Sequence, residues 1–140
     1  MDLVSIPANP APEGAVTGAL KARDGVTLRF ARWQPPPGRK GTVCLFQGRT
    51  EFIEKYFETV RELRSRGFAV ATFDWRGQGR SDRKLRDPRK GHVGDFSEYE
   101  LDVDVFMGLV HARIDAAAGP GESQTVSVSA GGALATAVCA

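Results

Sequence analysis

Apolar positions in this chain come in short runs divided by polar turns. Phe68 to Phe73 is nearly continuous, opened by Gly67 and closed by Asp74. Such a run, with β-branched and aromatic members, predicts a strand buried on both faces, as in a parallel sheet. Thr42–Phe46 predicts a second buried strand, ending at Gln47-Gly48. Between them Ile53, Tyr56, Phe57, Val60 and Leu63 recur at helical spacing, which predicts a helix over Phe52–Arg66 with Gly67 as its C-cap. Upstream, Ala19–Arg23 and Thr27–Trp33 flank the turn signal Asp24-Gly25 and predict an edge hairpin with one wet face. Downstream, Tyr99, Val103, Phe106 and Val110 predict a helix over Ser97–Arg113. Asp95 or Ser97 would cap it, and Glu98, Glu100, Asp102 and Asp104 load its positive end with acids. Thr125–Ser129 reads as a further strand, sparse in apolar residues. Residues 1–15 are Pro- and Ala-rich and read as a flexible arm.

Strands alternating with helices put the chain in the α/β class. Its 140 residues suffice for one domain with a core. Hydrophobic residues make up 41% and charged residues 26%, which is a globular balance. A net charge of +2 gives no case for nucleic acid. Cys44 lies inside an apolar strand and Cys139 is next to last, so a disulfide framework is not expected and a reducing, cytoplasmic compartment fits. Asp2 and the early prolines argue against a signal peptide, and no apolar run reaches the ~18 residues of a membrane span.

The central strand empties into Asp74-Trp75-Arg76-Gly77-Gln78-Gly79-Arg80-Ser81-Asp82. Open α/β sheets place ligands outside the carboxyl ends of their strands, although an ordinary strand exit reads the same way. From Arg76 to Lys90 the basic residues Arg76, Arg80, Arg83, Lys84, Arg86, Arg89 and Lys90 face only Asp82 and Asp87. This loop is either a membrane-surface contact for anionic lipid head groups or, preferred here, a solvated loop of mixed charge. The cysteines and histidines lack zinc spacing, Gly77-x-Gly79 lacks the third glycine of a dinucleotide site, and no P-loop is present, so neither metal nor cofactor is expected.

Asp74 to Asp82 resembles the Asp-x-Arg-Gly-x-Gly-x-Ser segment of the α/β-hydrolase superfamily, and more narrowly its lysophospholipase and monoacylglycerol lipase branch. Phe46 to Tyr56 is similar to that family's His-Gly oxyanion loop, here Gln47-Gly48, and the helix after it. The resemblance runs from about Ala19 to about Val110. It implies an antiparallel hairpin leading into a parallel sheet flanked by helices, and serine hydrolysis of a small lipid ester. In Ser127-Val128-Ser129-Ala130-Gly131-Gly132 the resemblance makes Ser129 the nucleophile, with Ser127 replacing the usual first glycine of Gly-x-Ser-x-Gly-Gly. The oxyanion donors it implies are the backbone N–H groups of Arg49 and Ala130. The alternative for Ser129 is a polar residue in a low-complexity tail.

In this fold the triad acid and histidine follow the nucleophile. No Asp, Glu or His follows Ser129, and His92 and His111 precede it and read as surface residues. The expectation is therefore a partial α/β-hydrolase domain over residues 16–140, an N-terminal fragment inactive alone. A serine aminopeptidase-like hydrolase and a non-catalytic truncated domain are the alternatives.

Overall fold

The computed structural model describes residues 1–34, 41–113 and 125–129. Its strands are β1 (Ala15–Lys21), β2 (Thr27–Trp33), β3 (Thr42–Phe46), β4 (Ala69–Phe73) and β5 (Thr125–Ser129). They form one sheet in the order β1-β2-β4-β3-β5. β2 runs antiparallel to both β1 and β4, while β4, β3 and β5 are mutually parallel in that order. The expected hairpin leading into a parallel sheet is thus present.

Period-two alternation sorts the strands onto two faces. Leu28 and Phe30, Cys44 and Phe46, and Ala69, Ala71 and Phe73 meet helix α2 (Glu98–Arg113) through Phe106 and Val110. Ala31, Trp33, Leu45 and Val70 face the other way, onto helix α1 (Phe57–Ser65) through Phe57 and Val60. The core is two apolar layers with the sheet between them.

The predicted boundaries shift in two places. β1 runs from Ala15 to Lys21 rather than from Ala19 to Arg23 and pairs with the whole of β2. β2 is therefore an interior strand, buried at most positions, and within the hairpin the wet face belongs to β1. The helix predicted from Phe52 opens instead as a 3-10 turn over Ile53–Tyr56 before α1. Gly67 ends α1 as expected: its φ is +94°, its N–H donates to Arg64 O (3.0 Å), and Phe68 N–H donates to Leu63 O (3.1 Å).

Residues 1–14 lie along the α1 face. Trp33 Nε1 donates to Pro12 O (3.1 Å), Asn9 Nδ2 to Glu54 O (2.8 Å) and Arg61 Nη1 to Pro10 O (2.7 Å). Leu3 and Ala11 pack against the Trp33 side of the core.

Candidate active site

The segment after β4 is a hub. Asp74 continues the inward parity of Val70 and Thr72 and is fully buried. Its Oδ2 accepts from Arg29 Nε (2.7 Å) and Arg80 N–H (2.9 Å), and its Oδ1 from Ile53 N–H (2.9 Å). Arg29, 1% exposed on β2, reaches Glu54 with its other nitrogens at 2.7 and 2.8 Å. Burial alone would raise the Glu54 carboxyl, but the Arg29 hydrogen bonds and charge outweigh it and hold Glu54 below the usual carboxylate range. One buried cation thereby joins β2, the end of β4 and the turn that starts α1.

The glycines, Ser81 and Arg76 of this segment each have a structural cause. Gly79 (φ +49°) lies so close to the Asp74 carboxylate that a β-carbon would overlap it. Gly77 (φ +76°) has His92 O 2.9 Å from where its β-carbon would stand. Ser81 Oγ donates to Asp74 O (2.6 Å) and accepts from Arg29 N–H (2.9 Å), so the loop continues the edge of β2. Arg76 is 3% exposed; its Nε and Nη2 donate to Asp102 Oδ1 at 2.9 and 2.7 Å, and its Nη1 to Asp24 Oδ2 at 2.7 Å. The Arg76 hydrogen bonds hold the Asp24 carboxyl below its ordinary value.

This corrects two expectations. Arg76 is not part of an exposed basic face, because it is sequestered by Asp102 and Asp24. Asp102 does not serve as a solvent-side acid near the helix start: it lies on the buried stripe Asp102, Phe106, Val110. An acid at i in an i, i+4, i+8 stripe of buried residues is the signal that would have found it.

The loop after β3 is held from several sides. Trp75 Nε1 donates to Gln47 O (2.8 Å), and Glu51 Oε2 accepts both Gly48 N–H (2.8 Å) and the Tyr56 hydroxyl. The Tyr56 hydrogen bond keeps the Glu51 carboxyl low, while burial and Glu51 push the Tyr56 hydroxyl up to about 12. Gln78, buried, accepts the N–H of Thr50. Thr50 has φ +65°, a left-handed conformation unusual for a β-branched residue. The N–H groups on either side of Arg49 are thus engaged, and Arg49 N–H has no acceptor among the described residues. Gln47 Oε1 is also buried without a partner among them.

Of the expected site residues, Ser129 is the last residue of β5 and pairs with Phe46, the last residue of β3. The end of β5 therefore stands beside the start of the Gln47–Thr50 loop. Ala130 lies outside the described residues. His92 and His111 are exposed, His92 beside Gly77 and His111 on α2. Among the described residues no group of three or more His, Cys, Asp or Glu could hold a metal ion, and no helix is long and apolar enough to cross a membrane.

A mixed sheet of this order, with a tethered loop after β3 and a glycine-rich hub after β4, defines an α/β-hydrolase scaffold. The family described as serine aminopeptidase, S33 matches residues 37–140, well over half of the chain, and the chain belongs to that family. Lysophospholipase L2 of Escherichia coli (strain K12) is 40% identical over 83 residues, which cover 59% of this chain and 24% of that protein. The chain thus spans about a quarter of the length of that curated relative. Among solved structures, a Pyrococcus furiosus esterase superimposes with a TM-score of 0.59 at 24% identity, covering 82% of this chain and 39% of that one. A thermostable carboxyl esterase from Bacillus coagulans does so with a TM-score of 0.62 at 16% identity, covering 83% and 36%. These two likenesses establish the fold.

Proposed function

We propose that the chain carries the nucleophile and oxyanion half of a serine ester hydrolase acting on a lysophospholipid or monoacylglycerol. Ser129 Oγ attacks the ester carbonyl, and Arg49 and Ala130 N–H groups receive the charge that develops on the carbonyl oxygen. The alcohol leaves and water clears the acyl-enzyme. A histidine placed after the nucleophile in chain order would take the serine proton.

The observation that carries this reading is the pairing of Ser129 with Phe46. It sets the strand end beside a loop whose Arg49 N–H has no acceptor among the described residues. An oxyanion donor has to be unpaired before substrate arrives, and removing one typically costs about 10²–10³ in rate. The similarity to lysophospholipase L2 supports the lipid ester. Contact of the exposed Arg86, Arg89 and Lys90 with a lipid surface belongs to the same reading.

A fluorophosphonate probe tests it. Labelling should map to the peptide holding Ser129, slowly because no histidine follows it in this sequence, and vanish in Ser129→Ala. Absence of labelling in a folded chain would leave a non-catalytic domain. The family's description favours one second reading, peptide hydrolysis. Parallel assays on monoacylglycerol and on aminoacyl anilides separate the two.

A further inference from the structure

A cavity of about 620 Å³ opens between the N-terminal residues, the loop after β3 and the loop after β4. This is the size of a small-molecule site. Val4, Ile6 and Phe52 give it an apolar side, and Lys55, Arg80, Arg83 and Arg89 supply cations. Its two carboxylates are already engaged. Glu54 is bonded to Arg29, and Glu51 to Tyr56 and Gly48 N–H.

The cations are held differently. Arg83 Nη1 donates to Gly77 O and its Nη2 to Gly79 O (3.0 Å). Arg80 Nη1 donates to Asp2 O (3.1 Å). Lys55 Nζ lies over the Phe52 ring, 5.8 Å from its centre. These partners are neutral carbonyls and a ring, so they fix those three side chains without cancelling their charge, whereas Arg89 Nε is paired with Asp87 Oδ1 (3.4 Å). Arg83 is also half-buried, where a charge is screened less by water. A guanidinium fixed by two carbonyls still has donors left for a planar or tetrahedral oxyanion. With Glu54 neutralised by Arg29 and Arg89 by Asp87, the charges of Lys55, Arg80 and Arg83 outnumber that of Glu51, and a positive cavity with an apolar side suits an amphiphilic anion. Thr50, next to the proposed oxyanion donor, lines it as well.

We propose that this cavity binds a phosphate ester, the glycerophosphate head group of a lysophospholipid, with Arg83 as its main ligand and Arg80 as its second. The choice of head group rests on the ester-hydrolase reading, whereas the anion site does not.

The test is titration of the full chain with sn-glycero-3-phosphoethanolamine and, separately, inorganic phosphate, followed by ³¹P NMR. Saturable binding is expected, tighter for the glycerophosphate. Arg83→Gln should weaken it about tenfold, the scale of one charge-assisted hydrogen bond. Arg80→Gln, which leaves the Gly77–Gly79 loop untouched, should weaken it several-fold. Arg23→Gln removes an exposed charge elsewhere and should change nothing. No saturable binding by the folded chain, or equal behaviour of all three variants, would overturn the site. Equal affinity for both probes would overturn the head-group assignment. Binding in a chain that does not label at Ser129 supports the site and counts against the hydrolase reading; labelling without binding does the reverse.

Discussion

Gly79 presses its bare Cα against the carboxylate of Asp74, leaving no room for a β-carbon. That carboxylate cannot swing aside, because Arg29, Ile53 N–H and Arg80 N–H all hold it. Gly79→Ala therefore combines a left-handed φ penalty with an overlap against a fixed group. A loss of about 3 kcal/mol or more is expected in urea unfolding. Gly25→Ala is the contrast: its φ is +86° but nothing lies within 4 Å of the new methyl, so the loss should be about 1 kcal/mol.

Arg29→Met would leave Asp74 and Glu54 facing each other's surroundings without their shared cation. Removing one partner of a buried ion pair costs about 3–5 kcal/mol. Arg66→Met removes an exposed arginine from its i,i+4 pair with Glu62 and should cost less than about 0.5 kcal/mol. Denaturation midpoints of the two variants check the difference.

Gln78 reaches from one loop to hold the N–H of Thr50 in the other. Its role is positioning, since it touches no reacting atom. Gln78→Leu should free Thr50 from its left-handed φ and let Arg49 N–H turn away. The rate of fluorophosphonate labelling at Ser129 is then expected to fall about ten- to hundredfold, part of the loss of a full oxyanion donor. Gln78→Glu keeps the acceptor and should retain most of the rate. Equal rates in both variants at equal stability would sink the positioning role.

Tyr56 and Glu51 bracket the pH range over which their hydrogen bond holds the loop. The tyrosine pKa is raised, so its contribution is complete below the ordinary value of about 10 and is lost as pH rises through about 12. The Glu51 pKa is lowered, so its contribution is present above the ordinary value of about 4.3 and is lost as pH falls through the lower folded value. Tyrosinate absorbance should show a late step near pH 12. Tyr56→Phe should remove that step, leaving the separate step of Tyr99, the chain's other tyrosine, whose hydroxyl burial also pushes up.

The strands are legible from apolar positions set between turn signals, even where those positions are sparse. Thr27–Trp33, Thr42–Phe46 and Thr125–Ser129 stand where the pattern puts them. The pattern shifts β1 to Ala19–Arg23, because Thr17 and Gly18 carry little hydrophobic signal. Arg29, Glu54 and Asp102 were missed for a common reason. A charge within an amphipathic element is ordinarily taken as its wet side, and only its partner, tens of residues away, turns it inward. The Asp74–Ser81 motif was legible as a place of interest. Its residues proved to join strands and loops to one another. The Arg49 N–H, without an acceptor among the described residues, sits beside the left-handed φ of Thr50 and its bond to Gln78, neither of which a local pattern encodes.

The buried ions also bear on how the chain finds its fold. Arg29 waits 25 residues for Glu54 and 45 for Asp74, so the cluster closes long loops and cannot assemble locally. Its charges lose water only when β2, β4 and the turn before α1 come together. Closure should therefore come late, after the sheet has collapsed. Weakening the cluster should then quicken unfolding while leaving the folding rate nearly unchanged. On this view the hub acts as a latch, setting how long the native state lasts more than how quickly it is reached.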